Sequence, residues 1–250
     1  MFVELDRRSY ESNIFNNSDS NIEIIKSIHP SKEFTIISHG FAGSKEMMRQ
    51  IAYDIANAGS NAVLFDFIGH GSNQHKLVNQ PTEITGTTQQ LVNQLSNLIK
   101  FVYEKFGDEI SISLVGHSMA SDIVIRASAN KRIKSVVAIS PYSTGITKDF
   151  PKDLLLVSGQ FENHLRLHAL QMVKIFKPEV KENTEYADEK IRRKASFIDN
   201  TGHVSVIYAP QTTRIIIDWL KLDNYDRPFW KTQIGWIIIG VTLIVFGMSR

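Results

Sequence analysis

Between residues 33 and 222 the sequence alternates short apolar runs with amphipathic segments of helical periodicity. Runs such as FTIIS at 34–38 and LLLVS at 154–158 lack polar alternation, which is typical of strands covered on both faces. Strands are predicted at 34–38, 62–67, 110–115, 135–139, 154–158 and 195–198, and helices at 44–58, 88–106, 119–129, 165–176 and 212–220. The alternation therefore predicts an α/β domain over residues 1–222, with a mostly parallel central sheet flanked by helices.

The composition narrows the chemistry that such a domain can perform. The 250 residues include no cysteine, which excludes a disulfide scaffold, thiolate zinc sites and a thiol nucleophile. Lysine and arginine number 28 against 26 acidic residues, so the net charge of +2 provides no global field that would attract nucleic acid. Covalent catalysis would therefore use oxygen or nitrogen, and no nucleic-acid partner is expected.

One serine lies where a predicted strand turns directly into a predicted helix. Strand 110–115 is followed at once by residues 116–120 (GHSMA), with Ser118 at the centre. Such a turn is strained and brings backbone segments into contact, so it requires small residues two positions before and after the serine. Gly116 meets this requirement, and Ala120 meets it less completely.

This turn resembles the nucleophile elbow of the α/β-hydrolase superfamily, and the resemblance covers about residues 33–222. Residues 39–43 (HGFAG) resemble the loop that lends an amide to the oxyanion hole, and residues 66–72 (DFIGHGS) resemble a turn that follows a strand in this family. The resemblance implies an α/β-hydrolase fold without a large lid domain, because only residues 140–153 occupy the usual insertion point. Segments 73–87 and 177–194 remain as candidate covers of the site.

The resemblance also implies the residues of a catalytic triad. Ser118 would be the nucleophile, Glu162 follows the LLLVSG strand by three residues, and His203 precedes the last predicted helix, in the chain order of this family. Glutamate stands where aspartate is commoner. Asp199, four residues before His203, stays open as an alternative acid.

General chemistry supports the same roles for the serine, the histidine and the acid, independently of the resemblance. A serine hydroxyl needs an imidazole to accept its proton, and the imidazole needs a carboxylate to fix its tautomer. The backbone amides of Phe41 and Met119 are the expected oxyanion donors, each worth about 3 kcal/mol in the transition state. His39 and His70 are interpreted as structural, bonding backbone in tight turns.

The sequence thus predicts a serine hydrolase that cleaves a carboxylic ester, or a thioester or amide, through an acyl-enzyme. Its partner would be a small-molecule or lipid-like acyl substrate. An acyltransferase or peptidase could use the same triad, and a catalytically silent binding module held at a membrane is a further alternative. No metal or other cofactor is expected, because the pair His164 and His168 has no evident third ligand and no phosphate-binding loop occurs.

The C-terminal segment favours attachment to a membrane. Residues 232–249 carry no charge and would form about 27 Å of helix, close to the thickness of a bilayer core. A transmembrane helix is predicted at 229–249 after a linker at 223–228, as a tail anchor or the first span of a longer chain; a buried C-terminal helix is the alternative. Without an apparent export signal, the catalytic domain is expected on the cytoplasmic side.

Overall fold

A computed structural model of the protein describes residues 11–16, 20–77, 84–129 and 132–223. Within these residues nine strands form one sheet: β1 (Ser12–Asn16), β2 (Asn21–Ile25), β3 (Glu33–Ser38), β4 (Asn61–Phe65), β5 (Ser111–His117), β6 (Ile133–Ile139), β7 (Asp153–Gly159), β8 (Glu185–Ala187) and β9 (Arg192–Ile198). The helices are α1 (Lys45–Asn57), α2 (Gln89–Phe106), α3 (Met119–Ala127), α4 (Asn163–Lys174) and α5 (Pro210–Leu220). A π-helical turn at Ile84–Thr88 and a 3-10 turn at Ser205–Tyr208 complete the regular elements in this part of the chain.

The sheet is parallel at its centre and antiparallel at its edges. Its order is β1-β2-β4-β3-β5-β6-β7-β9-β8. The pairs joining β4, β3, β5, β6, β7 and β9 are all parallel, whereas β1, β2 and β8 are antiparallel to their neighbours. The prediction of a mostly parallel sheet is confirmed. Because these parallel strands end at one edge, the loops that follow them meet there.

Apolar side chains cover both faces of the sheet, as the uninterrupted apolar strands predict. On one face α2, α3 and α4 enclose a cluster that includes Leu95, Val124 and Met172. On the other face α1 and α5 enclose a second cluster that includes Ile51 and Ile216. The central strands are therefore buried on both sides, and only their ends reach solvent.

The N-terminal residues hold two strands: β1 lies at the edge of the sheet, and β2 pairs with both β1 and β4. The charged segment 177–194, interpreted as a candidate flap, instead contains β8 and pairs with β9 as an edge hairpin. Residues 78–83 of the other candidate cover, 73–87, lie outside the described residues.

The described chain leaves the domain at the edge opposite to the carboxyl ends of the parallel strands. The amide of Asp223 donates to the carbonyl of Ala58, which lies just before the start of β4. Across the ranges described above, none of the helices is both long and apolar enough to span a bilayer. The predicted transmembrane helix at 229–249 falls outside those ranges.

Candidate active site

Ser118 occupies a strained turn at the carboxyl edge of the sheet. Strand β5 ends at His117 and α3 begins at Met119, so Ser118 is the single residue between them, with φ +55° and ψ −118°. A positive φ costs a residue other than glycine about 1–3 kcal/mol. The turn is held by two hydrogen bonds: the Ser118 amide donates to the Ile139 carbonyl at 2.9 Å, and the Ser121 amide donates to the Ser118 carbonyl at 2.8 Å.

Gly116 allows the start of α3 to pack directly onto β5. A Cβ atom at Gly116 would lie 2.5 Å from the carbonyl oxygen of Ala120, a distance that backbone cannot relieve without moving the turn. Ala120 itself is fully buried in the apolar cluster. The glycine is thus required before the serine, whereas an alanine is accommodated after it.

Ser118, His203 and Glu162 form a continuous chain of hydrogen bonds. Nε2 of His203 lies 2.9 Å from Oγ of Ser118, and Nδ1 of His203 lies 2.6 Å from Oε1 of Glu162. If Nδ1 donates its proton to the carboxylate, Nε2 is left free to accept the proton of the hydroxyl. The structure therefore brings together the three side chains nominated from the sequence, although Glu162 and Ser118 lie 41 and 85 residues before His203.

The carboxylate of Glu162 is buried, and both of its oxygens form hydrogen bonds. Oε1 contacts His203, while Oε2 accepts hydrogen bonds from the Gly159 amide at 2.6 Å and the Ser140 hydroxyl at 2.9 Å. Ser140 was missed by the sequence analysis, although it directly follows the buried strand β6 and has a φ of +50°. Its contact with Glu162 fixes the rotation of the carboxylate toward the imidazole.

Asp199 does not occupy the position of an alternative acid. It is exposed, and none of the hydrogen bonds or ion pairs in the described part of the chain joins its carboxylate to His203. The reason is local: residues 200–202 turn away from the end of β9, and Asn200 has a φ of +56°. His203 therefore contacts Glu162 and not Asp199, although Asp199 is nearer in sequence.

His117 supports the loop that carries His203. Its Nε2 lies 2.8 Å from the backbone carbonyl of His203, so this nitrogen carries the proton and donates it. Burial lowers the pKa of His117 to about 4, which keeps the ring neutral near pH 7. The two imidazole rings are 5.0 Å apart, so a neutral His117 places no like charge beside the imidazolium that His203 would form.

Two backbone amides are available as oxyanion donors. Met119 is the first residue of α3, and its amide has no acceptor within the helix. Phe41 lies in the loop after β3; neither its amide nor that of Met119 donates to another group in the residues the structure describes. Gly40 keeps this loop against the elbow, since a Cβ atom there would lie 3.0 Å from Cβ of Ser118.

The loop of Phe41 is braced by the turn after β4. Asp66 accepts hydrogen bonds from the amides of Lys45 and Ser72 at 2.7 and 3.0 Å. Burial opposes ionisation of Asp66, but these amide bonds, together with the Ser72 hydroxyl and the charge of Lys45, lower its pKa. His39, fully buried, bonds Gly40 and Phe67 backbone, and His70 bonds the Ile68 carbonyl, in agreement with a structural role for both rings.

His164 and His168, the two histidines on α4, have different environments. His164 is exposed, whereas the ring of His168 stacks on Tyr142 at 4.6 Å and contacts the backbone of Ser143. No group of three or more metal-ligating side chains converges within the described ranges.

The comparisons with known proteins concern the same part of the chain. Residues 36–236 match the family model described as alpha/beta hydrolase fold. None of the curated proteins matches this sequence.

Several solved structures are similar in fold. A dienelactone hydrolase from Anabaena variabilis has a TM-score of 0.63 at 12% identity, over 85% of this chain and 97% of that chain. An esterase from Pyrococcus furiosus has a TM-score of 0.61 at 15% identity, over 85% and 90% of the two chains. An alpha-beta serine hydrolase homologue from Coxiella burnetii has a TM-score of 0.57 at 14% identity, over 84% and 95%. At such low identity these likenesses show the fold alone.

Proposed function

The chain belongs to the α/β-hydrolase family, and from this premise we propose that it is a serine hydrolase that cleaves carboxylic esters, or thioesters or amides, through an acyl-enzyme on Ser118. The observation that carries the proposal is the unbroken hydrogen-bond chain from Ser118 Oγ through His203 to Glu162. The structural neighbours described as esterase and hydrolase agree with this reaction class.

The proposed reaction follows from the contacts of the three side chains. Ser118 Oγ attacks the substrate carbonyl carbon while His203 Nε2 takes the hydroxyl proton, and Glu162 stabilises the resulting imidazolium through Nδ1. The negative oxygen of the tetrahedral intermediate accepts hydrogen bonds from the amides of Phe41 and Met119. His203 then returns the proton to the leaving alcohol, and a water molecule, deprotonated by the same imidazole, releases the acid from Ser118.

Membrane attachment through residues 229–249 is a separate part of the proposal and rests on the apolar sequence of that segment. The site would face the cytoplasm. Because the described chain leaves the domain beside Ala58, at the edge opposite to Ser118, the site opens away from the point where the linker begins. Substrate would then reach the site from the aqueous side of the domain.

Turnover of simple esters tests the reaction class. The full chain, in a nonionic detergent, is expected to hydrolyse p-nitrophenyl acetate and butyrate more than about 10⁴-fold faster than buffer, a level above that of an oxyanion hole and binding alone. Rates should scale with enzyme concentration, and free acid should be the product. Transfer of the acyl group to an added alcohol in preference to water would assign an acyltransferase instead. Folded protein that turns over neither ester would contradict the proposal and favour a silent binding module.

A further inference from the structure

Four loops around the candidate site each expose a large apolar side chain. Phe41, Tyr142, Phe161 and Val204 are 66%, 61%, 68% and 49% exposed. Phe41 carries an oxyanion amide, Phe161 precedes Glu162 and Val204 follows His203, while Tyr142 lies two residues after Ser140. We call these four side chains the apolar rim.

Backbone contacts hold the rim close to Ser118. The amide of Tyr142 donates to Ser121 Oγ at 3.1 Å, and the amide of Ser121 donates to the carbonyl of Ser118. The amide of Phe161 donates to the carbonyl of Thr201 at 2.9 Å, which joins the Glu162 loop to the His203 loop. The rim residues are therefore set by the same contacts that assemble the site.

Two rim side chains rest on rings that fix their orientation. Tyr142 stacks on His168 with an interplanar angle of 17°, and Phe41 meets His70 edge-on at 5.7 Å. Each ring is thus supported from below while most of its surface faces solvent. Exposed aromatic surface of this kind, clustered at a site, is typical of a binding surface.

The loop segments that carry the apolar rim contain few charged residues. The segments 39–44, 140–145, 159–163 and 199–205 contain no lysine or arginine, and their acids are the buried Glu162 and the exposed Asp199. Two arginines contact these segments from outside, Arg126 at Thr144 and Arg166 at the Gln160 carbonyl. Each is paired with an acid, Asp122 or Glu182. The four segments themselves therefore contribute one exposed charge, that of Asp199.

We infer that the apolar rim binds the acyl chain of the substrate, and that the enzyme prefers uncharged esters with long aliphatic or aromatic acyl groups. The inference rests on the proposed function, because it places the ester carbonyl at Ser118. An acyl chain leaving that carbonyl would lie across apolar side chains, and the arginines nearest to these segments, Arg126 and Arg166, are already paired with acids. Acyl groups ending in a carboxylate would gain no cationic partner from the loops that surround the site.

The expected size of the preference follows from the area buried. A fully buried methylene raises kcat/KM about fourfold, so half-burial raises it about twofold for each added methylene. On an open rim, p-nitrophenyl octanoate should therefore exceed the acetate by about 60-fold, since it has six more methylenes. A monosuccinyl ester should react more slowly than the butyryl ester of similar length.

The test compares chain-length dependence between matched variants of the full chain at one detergent concentration, so that ester partitioning cancels. The double variant Tyr142→Ser/Phe161→Ser should reduce the octanoate-to-acetate ratio of kcat/KM to less than about a tenth of the wild-type ratio. The control Ile14→Ser/Ile28→Ser removes apolar side chains that are 65% and 53% exposed but lie away from the site, and should keep the ratio. Thermal unfolding verifies that both variants are folded.

The outcomes separate the inference from the function on which it rests. Two outcomes would overturn the role of the rim while leaving the proposed hydrolase activity intact. In the first, the wild type hydrolyses the acetate but kcat/KM does not rise toward the octanoate. In the second, the octanoate-to-acetate ratio of the double variant stays within twofold of the wild-type ratio. Failure of the folded wild type to hydrolyse either ester contradicts the proposed function, and the inference with it.

Discussion

Replacing His203 with alanine is expected to lower kcat by about 10⁴- to 10⁶-fold. Without the imidazole, the Ser118 hydroxyl has no acceptor for its proton, and the residual rate comes from substrate binding and the oxyanion amides. The side chain of His203 is 47% exposed, so its removal leaves no buried cavity and should change the melting temperature little. Steady-state kinetics and thermal unfolding measure the two effects.

The matched control for this variant is His164→Ala. His164 is an exposed histidine on α4 and has no contact with Ser118 in the described structure, so kcat should stay within about twofold of wild type. A large fall in the melting temperature of His203→Ala, with activity lost in proportion to folded protein, would make His203 a structural residue.

Replacing Glu162 with glutamine should lower kcat by about 10³- to 10⁴-fold while preserving the shape of the side chain. The amide of glutamine has one acceptor oxygen and one NH₂ group, which cannot accept hydrogen bonds. It can therefore accept from His203 Nδ1 or from Gly159 and Ser140, but not from both sides at once. The imidazole then loses the acceptor that fixes its tautomer, and the charge that stabilises its protonated form.

Asp199→Asn distinguishes the two acids that the sequence left open. Asp199 is exposed and does not contact His203, so this variant should retain kcat within about threefold. If Asp199→Asn lost activity as strongly as Glu162→Gln, the acid of the triad would be misassigned. Steady-state kinetics of both variants on the same ester, with far-ultraviolet circular dichroism as a check of folding, gives the comparison.

The sequence predicted the elements and the candidate site because both depend on local patterns. Uninterrupted apolar runs identified the central strands, and the spacing of Gly116 and Ser118 at the end of β5 identified the strained turn. The resemblance to the α/β-hydrolase family, whose acid and histidine follow two other strands in this chain order, then implied Glu162 and His203. The apolar runs and the turn are short in sequence, so recognising them does not require knowledge of which distant segments meet.

The features that the sequence did not predict all depend on distant contacts. Ser140 bonds Glu162 across 22 residues and His117 bonds the His203 carbonyl across 86, and neither partner is marked by a local pattern. The interior position of β2 depends on its pairing with β4. Strand β8 has three residues, lies within the charged segment 177–194, and is held by its pairing with β9. Strand bounds were predicted less well than strand positions: β9 begins at Arg192, three residues before the predicted start at 195.

The apolar rim shows the same division between sequence and structure. Phe41, Phe161 and Val204 are ordinary apolar residues in the sequence, and nothing in their spacing indicates a common surface. Only the parallel sheet, whose strands end at one edge, brings their loops together. The inference about the acyl chain therefore required the structure, whereas the inference about the reaction class began from the sequence.

Covalent trapping of Ser118 tests the central claim most directly. A fluorophosphonate forms a stable bond with an activated serine hydroxyl, and intact-protein mass spectrometry followed by peptide mapping locates the adduct. Wild type and Ser111→Ala, which changes a serine at the opposite end of β5, should each gain one adduct on the peptide that contains Ser118, and Ser118→Ala should gain none. Absence of an adduct on folded wild-type protein, or equal labelling of Ser118→Ala, would contradict the account.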